Sequence, residues 1–138
     1  MEVTALPAIR FSRQREAIAQ ALRARRDHPT AEALYRTLRQ ADSNISLGTV
    51  YRNLTLLERQ GNVLRLHGQG GPDRYDGDIA PHDHLSCRAC GAVVDLMGMG
   101  DVIDLCAARE AAARQGAVVE GQRVHFYGLC AACAVDAQ

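Results

Sequence analysis

Four of the five cysteines fall into two C-x-x-C pairs, Cys87/Cys90 and Cys130/Cys133, and this pairing constrains the fold more than any other feature of the chain. Two intervening residues let a tight turn aim both sulfurs at one ion, so each pair can grip one side of a tetrahedral Zn²⁺ site. The 39 residues between the pairs exceed the usual ribbon spacing, so a small folded unit must sit between the two knuckles. A metal there would staple the C-terminal end of the chain to its middle. A redox pair and half of a disulfide framework are the alternatives for such a motif. Disulfides need an oxidising compartment, and the opening MEVTALPAIRFSRQR has no apolar stretch of the kind that directs export. A thioredoxin-type pair wants a βαβ context, which neither pair shows in the sequence. Structural zinc in a cytoplasmic protein with reduced thiols is therefore the expectation.

The formal net charge of zero conceals a division. Residues 1–66 carry 11 Arg against 6 acids and residues 67–138 carry 5 Arg against 10, so the halves stand at +5 and −5. All 16 basic side chains are arginine, whose planar fork suits phosphate and guanine. This asymmetry points to a polyanion at the front and cations at the back. No apolar run approaches the roughly 20 residues that cross a bilayer, so no membrane role is expected.

The front half reads as three short helices. Ser12 caps a segment from Arg13 to about Arg26 with Ile18, Ala21 and Leu22 on one face, and Asp27-His28-Pro29 breaks it. Thr30 caps Ala31 to Gln40, with Leu34 and Leu38 one turn apart and Glu32 supporting the N-terminus. Ser46 opens Leu47 to Gln60, with Val50, Leu54 and Leu57 buried and Gly61 as the stop. A hairpin follows, Asn62–His67 and Arg74–Asp76 around a Gly-rich tip. Helix-helix-helix-hairpin is a winged helix-turn-helix. The third helix would then read DNA, presenting Thr49, Tyr51, Arg52 and Thr55 away from its buried stripe.

Gly77–Pro81 has the composition of a hinge. Beyond it Val93, Val94 and Leu96 suggest a strand, Asp101 to Arg114 an Ala-rich helix and Ala117 to Leu129 a second strand. The expected architecture is α+β: a winged-helix DNA-binding domain over residues 1–76, a hinge over 77–81, and a small α/β dimerisation domain with a four-cysteine zinc site over 82–138. A unit so small is expected to need a partner surface, hence a homodimer, which also suits proteins that read two half-sites.

A second constellation precedes the first cysteine pair. His82 and His84 alternate with Asp83, so on an extended segment both imidazoles face one way and can share a metal. Asp76 ends the hairpin, Asp95 lies five residues after Cys90, and His28 sits between the first two helices. Three imidazoles and two carboxylates make a mixed N/O set that accepts Fe²⁺, Mn²⁺ or Zn²⁺ and is less soft than the thiolates. Two sites of different softness imply one that holds structure and one that senses.

The strings His28-Pro-Thr-Ala-Glu-Ala-Leu-Tyr, Asn44-Ile-Ser-Leu-Gly-Thr-Val-Tyr-Arg-Asn-Leu, Arg74-Tyr-Asp, Pro81-His-Asp-His-Leu-Ser-Cys-Arg-Ala-Cys-Gly and Tyr127-Gly-Leu-Cys-Ala-Ala-Cys together resemble the ferric-uptake-regulator (Fur) superfamily over residues 9 to 133. The resemblance implies a dimeric, metal-responsive transcriptional repressor that binds operator DNA. It places structural Zn²⁺ on Cys87, Cys90, Cys130 and Cys133, and regulatory Fe²⁺ or Mn²⁺ on His28, Asp76, His82, His84 and Asp95. Aspartate at position 95 is similar to the peroxide-sensing PerR branch, where Fur proper has glutamate. In that branch Fe²⁺ reacts with peroxide and oxidises histidines, here His28 or His82. Tyr51 and Arg52 resemble the base-contacting pair, and Arg10 the basic residue that enters an A·T-rich minor groove. A further site of Fur and Zur types takes two His and two carboxylates; the matching positions read Pro81, Asp83, Val102 and Gln122, so its absence is implied. His125 stands where relatives often carry another residue, and Cys106 is expected as a buried apolar side chain.

Iron- and zinc-uptake regulators of Fur or Zur type are the neighbouring reading. From other classes come a metal-dependent hydrolase and a zinc-ribbon interaction module. No general base or substrate pocket supports the hydrolase, and the interaction module leaves the +5 half without a purpose.

Overall fold

The computed structural model describes residues 12–67, 71–100 and 103–137. They fall into two compact units, one drawn from Met1–His67 and Asp73–Ile79, the other from Gly68–Pro72 and Ala80–Gln138.

The first unit is a winged helix-turn-helix: α1 (Arg13–Arg23), α2 (Ala31–Ala41), α3 (Leu47–Arg59), then β1 (Leu64–Leu66) and β2 (Arg74–Asp76) in an antiparallel pair. Each helix begins on the hydroxyl that the sequence offers. Ser12 accepts from the Arg15 amide at 3.3 Å, Thr30 from Ala33 at 3.1 Å and Ser46 from Thr49 at 3.1 Å, each satisfying an amide that the helix itself leaves open. The third helix ends in a Schellman turn, with the Asn62 amide on the Leu57 carbonyl, the Gly61 amide on Glu58, and Gly61 left-handed at φ 75°.

Helix α1 stops three residues earlier than its pattern suggests. Ala24 is its cap, and Arg25 turns instead onto Asp27 through two bonds of 2.9 and 2.6 Å. One core joins the three helices to the hairpin: Ile18, Ala19, Leu22, Ala31, Leu34, Ile45, Val50, Leu54, Leu57, Val63 and Tyr75. Ala19 is buried where Ala21 was expected to be, and Ala21 and Leu38 pack only partly against this core.

The second unit holds a three-stranded sheet in the order β4-β3-β5, from β3 (Asp83–Cys87), β4 (Val93–Leu96) and β5 (His125–Gly128). Strand β4 pairs antiparallel with β3 and β5 pairs parallel with it, with α4 (Leu105–Ala113) in the crossover. The short α5 (Ala131–Asp136) follows β5.

Two expectations are corrected here, while the extended segment expected to carry the histidines is the central strand β3, which begins just after His82. The strand expected from Ala117 shortens to His125–Gly128, and the Val124 amide just before it donates to Asp83 Oδ1 at 3.2 Å instead of to a ladder. The Gln122 side-chain amide bonds both backbone groups of Ile103, at 3.1 and 2.8 Å. The Ala-rich helix begins at Leu105 rather than Asp101, since Asp104 caps it through the Cys106 amide at 2.9 Å.

This unit buries little of its apolar surface. Cys87 and Val93 are its buried hydrophobic residues among those described, α4 buries none, and Val94, Met97, Met99, Ile103 and Tyr127 are exposed.

Candidate metal centres and nucleic-acid interface

The four cysteines converge. Their sulfurs all lie within 4.8 Å of one another, and Cys90 Sγ is 3.8 Å from Cys130 Sγ. Sulfurs about 2.3 Å from a tetrahedral ion stand about 3.8 Å apart, so the cage has the size of a zinc site.

Local structure explains the convergence. Cys87 ends β3, and a tight turn closed by the Gly91 amide on the Cys87 carbonyl at 2.9 Å, with Gly91 at φ 77°, returns Cys90 toward it. Cys130 is the N-cap of α5 and Cys133 lies three residues on, so both project from one end of that helix. Parallel pairing of β3 with β5 brings the two knuckles together. The knuckles thus do flank a β-α-β crossover, contrary to the sequence reading, and the metal assignment rests on the four-sulfur convergence.

The backbone amides of Cys130, Cys90 and Ala89 pull the pKa of the Cys87 thiol down to about 6. That of the Cys133 thiol, which shares its proton with the sulfurs of Cys130, Cys87 and Cys90, is pushed up to about 12. A cage in which the first proton leaves easily and the last resists is one that a divalent cation completes. Zn²⁺ fits it.

Within the second unit His82, His84 and Asp95 form a tight group. Strand register sets Asp95 opposite His84, and Asp95 Oδ1 lies 3.1 Å from His82 Nε2 and 3.3 Å from His84 Nε2. The two rings are 4.5 Å apart between centroids. His82 Nδ1 donates to the Ala80 carbonyl at 2.7 Å, which aims Nε2 at a carboxylate oxygen. A proton can bridge that pair, and so can a metal cation. The donor set of two imidazoles and a carboxylate fits Fe²⁺, Mn²⁺ or Zn²⁺.

The first unit carries its own pair, His28 Nε2 at 3.2 Å from Asp76 Oδ2, both buried. Strand β2 makes this pair. Tyr75 enters the core, so Arg74 and Asp76 share the opposite face, where Arg74 bonds the His28 carbonyl at 3.0 Å and Asp76 meets its ring. His28 is left-handed at φ 51° immediately before Pro29, a conformation costing about 1–3 kcal/mol that persists only where surroundings impose it.

On α3 the expected reading residues are exposed or half-buried, and all four are tied to neighbours. Tyr51 donates its hydroxyl to Glu32 Oε1 at 2.8 Å, which raises the phenol pKa. Arg52 donates to Thr49 Oγ1 at 3.2 Å, which in turn lies 2.8 Å from Ser46 Oγ. Thr55 accepts from Arg65 on β1 at 3.2 Å, so it braces the wing. Arg10 lies outside the described residues.

Two residues behave differently from expectation. Cys106 is exposed at the open end of α4 rather than buried, because α4 has no packed face in the chain. His125 stands beside His84 in the strand register and stacks on Tyr127, with its Nε2 2.5 Å from Ser86 Oγ; burial chiefly, then His84, lowers its pKa. Of the positions matching the further Fur-type site, Asp83 and Gln122 are engaged with backbone as described, and Val102 is outside the described residues. The Ala80 carbonyl and Glu32 carry no local signature in the sequence; their partners are set by the fold.

The model of the ferric uptake regulator family matches residues 7–127. The peroxide operon regulator of Bacillus subtilis is 34% identical over 127 residues, covering 91% of this chain and 84% of the relative. Among solved structures, the Campylobacter jejuni peroxide stress regulator superposes with a TM-score of 0.68 at 30% identity, covering 85% of both chains. The Helicobacter pylori ferric uptake regulator Fur, which has three functional metal-binding sites, superposes at 0.71 with 25% identity, covering 91% of this chain and 83% of its own. With the family model matched over most of its length, and with a winged helix, a four-cysteine cage and a His/Asp cluster in one sequence, the chain belongs to the ferric uptake regulator family.

Proposed function

We propose that this protein is a metal-dependent transcriptional repressor of the peroxide-responsive type, which binds operator DNA as a homodimer. The observation that carries the reading is the orientation of His82: its Nδ1 is taken by the Ala80 carbonyl, which aims its Nε2 at Asp95 as a metal-ligating imidazole is held. In this reading His28 and Asp76 of the winged helix join His82, His84 and Asp95 around one Fe²⁺ or Mn²⁺, with Gly77–Pro81 as the hinge between domains 1–76 and 82–138. The bound cation supplies a link that ligands of both units share. Cys87, Cys90, Cys130 and Cys133 keep Zn²⁺ as a fixed staple.

Such sharing makes metal and DNA binding reciprocal: whatever favours the arrangement competent for two half-sites tightens both. The apolar surface left open on the second unit supports a homodimer through that unit. Aspartate at position 95 and the similarity to peroxide regulators favour the peroxide-responsive type over a Fur or Zur type. The relatives are regulators, and the hydrolase reading is set aside.

The test is binding to a duplex enriched by the Mn²⁺-loaded protein from a random-sequence pool. Mn²⁺ is expected to tighten binding within the about 5–150-fold range of typical couplings. His82→Ala should remove that response while one zinc per chain remains. An unchanged response in the variant would take His82 out of the site. With Fe²⁺ and hydrogen peroxide, peptides containing His28 or His82 should gain one oxygen atom by mass spectrometry; loss of DNA binding without that gain would reject histidine oxidation.

A further inference from the structure

The face that α3 offers to DNA has one component that α3 does not supply. Glu32, in the first turn of α2, reaches 19 residues along the chain to accept the Tyr51 hydroxyl at 2.8 Å. Helix α3 carries no acid in its own first turn, and the neighbouring Ser46, Thr49 and Arg52 bonds are all local to it. An acidic side chain beside a surface that meets phosphates weakens binding to every sequence alike, so its placement there calls for a return. Its partner shows what that is. Tyr51 is 40% exposed, so its ring stands partly open to solvent. The bond to Glu32 holds it by its tip.

We propose that Glu32 is a specificity-determining positioning residue: it fixes the Tyr51 ring for base reading, and its charge weakens docking on every sequence alike. This rests on α3 being the reading element. A ring already held loses less freedom when it docks, so a matching sequence gains affinity. A mismatched sequence meets the same carboxylate without that gain, so the ratio of the two affinities rises.

The full-length, Mn²⁺-loaded protein tests this by its affinities for the pool-enriched duplex and for a shuffled duplex of equal composition, at one salt concentration. Glu32→Ala should bind the shuffled duplex more tightly, and the ratio of the two affinities should fall about tenfold, near the lower end of what one good base contact discriminates. Glu32→Gln keeps an acceptor oxygen for the phenol without the charge; it should raise both affinities and retain most of the ratio. Tyr51→Phe should lower the ratio, and the double variant Glu32→Ala with Tyr51→Phe should fall no further than the lower single variant, because the two act as one unit. A ratio within twofold of the parent in Glu32→Ala, or single losses that multiply in the double variant, would overturn the proposal. Should Glu32→Ala not fold, a parental ratio in Tyr51→Phe would overturn it equally. A pool from which the parent protein enriches nothing would remove the DNA-reading role of α3 itself, a result distinct from an enriched sequence whose ratio ignores Glu32.

Discussion

Gly77 follows Asp76 directly, and its backbone passes so close to α1 that a Cβ there would lie 2.8 Å from the Arg23 nitrogen and the Leu22 carbonyl carbon. Both neighbours are backbone and cannot rotate away. Asp76 itself is held on both oxygens, Oδ2 against His28 and Oδ1 by the Asp78 amide at 2.8 Å. Any shift of the strand end therefore moves the Asp76 carboxylate. Gly77→Ala is expected to cost about 1–3 kcal/mol of stability in denaturant unfolding, the range for overpacking a filled site. It should also weaken Mn²⁺ binding, read by titration calorimetry, while zinc content stays unchanged. Unaltered Mn²⁺ affinity in a destabilised variant would show that Asp76 does not depend on this contact.

At the scale of elements, the two knuckles are the fastening between β3 and α5. Few apolar side chains hold the second unit together, whereas the first has a continuous core from α1 to Tyr75. Stability of the second unit must then come largely from the metal, as it does in other small domains whose ligands gather only on folding. Cys133→Ser, or zinc removal by a strong chelator, should open residues 80–137 to limited proteolysis while the signals of α1, α2 and α3 in amide hydrogen exchange persist. Protection of β3 equal to that of the zinc-loaded protein would contradict a structural role for the ion. The wing is fastened differently. Arg65 on β1 lies over the Tyr75 ring at 5.5 Å and bonds Thr55 and Glu58 of α3, so hairpin and third helix move as one body.

For the whole molecule, linkage makes a quantitative demand. If metal tightens DNA binding by some factor, operator DNA must tighten metal binding by the same factor. Titrating Mn²⁺ into free and DNA-bound protein is expected to give that equality; a metal affinity indifferent to DNA would mean that the ligands of the two units do not cooperate. Exposed Val94, Met97, Met99, Ile103 and Tyr127 belong to the same account, since a dimer that covers them should melt at a temperature that rises with protein concentration.

Much of this was legible in the chain. Hydroxyl caps at Ser12, Thr30 and Ser46, the stripe Val50-Leu54-Leu57 and the stop at Gly61 are local patterns, and local physics decided them as read. Spacing alone marked both cysteine pairs, because two residues between thiols suit one turn and one ion. Other features depend on groups distant in sequence. The strand from Ala117 was shortened where the Asp83 side chain takes the Val124 amide that periodicity would have assigned to a ladder. Cys106 looked apolar and proved exposed, since burial depends on what packs against a helix and not on the residue's type. The sequence by itself determined which side chains can hold a metal and where α1, α2 and α3 begin. The fold decided how they are aimed: His82 by the Ala80 carbonyl, Asp95 by its register with His84, and Tyr51 by Glu32. Residue identity supplies the donor atoms, but orientation comes from hydrogen bonds and strand pairing that exist only once distant segments have met.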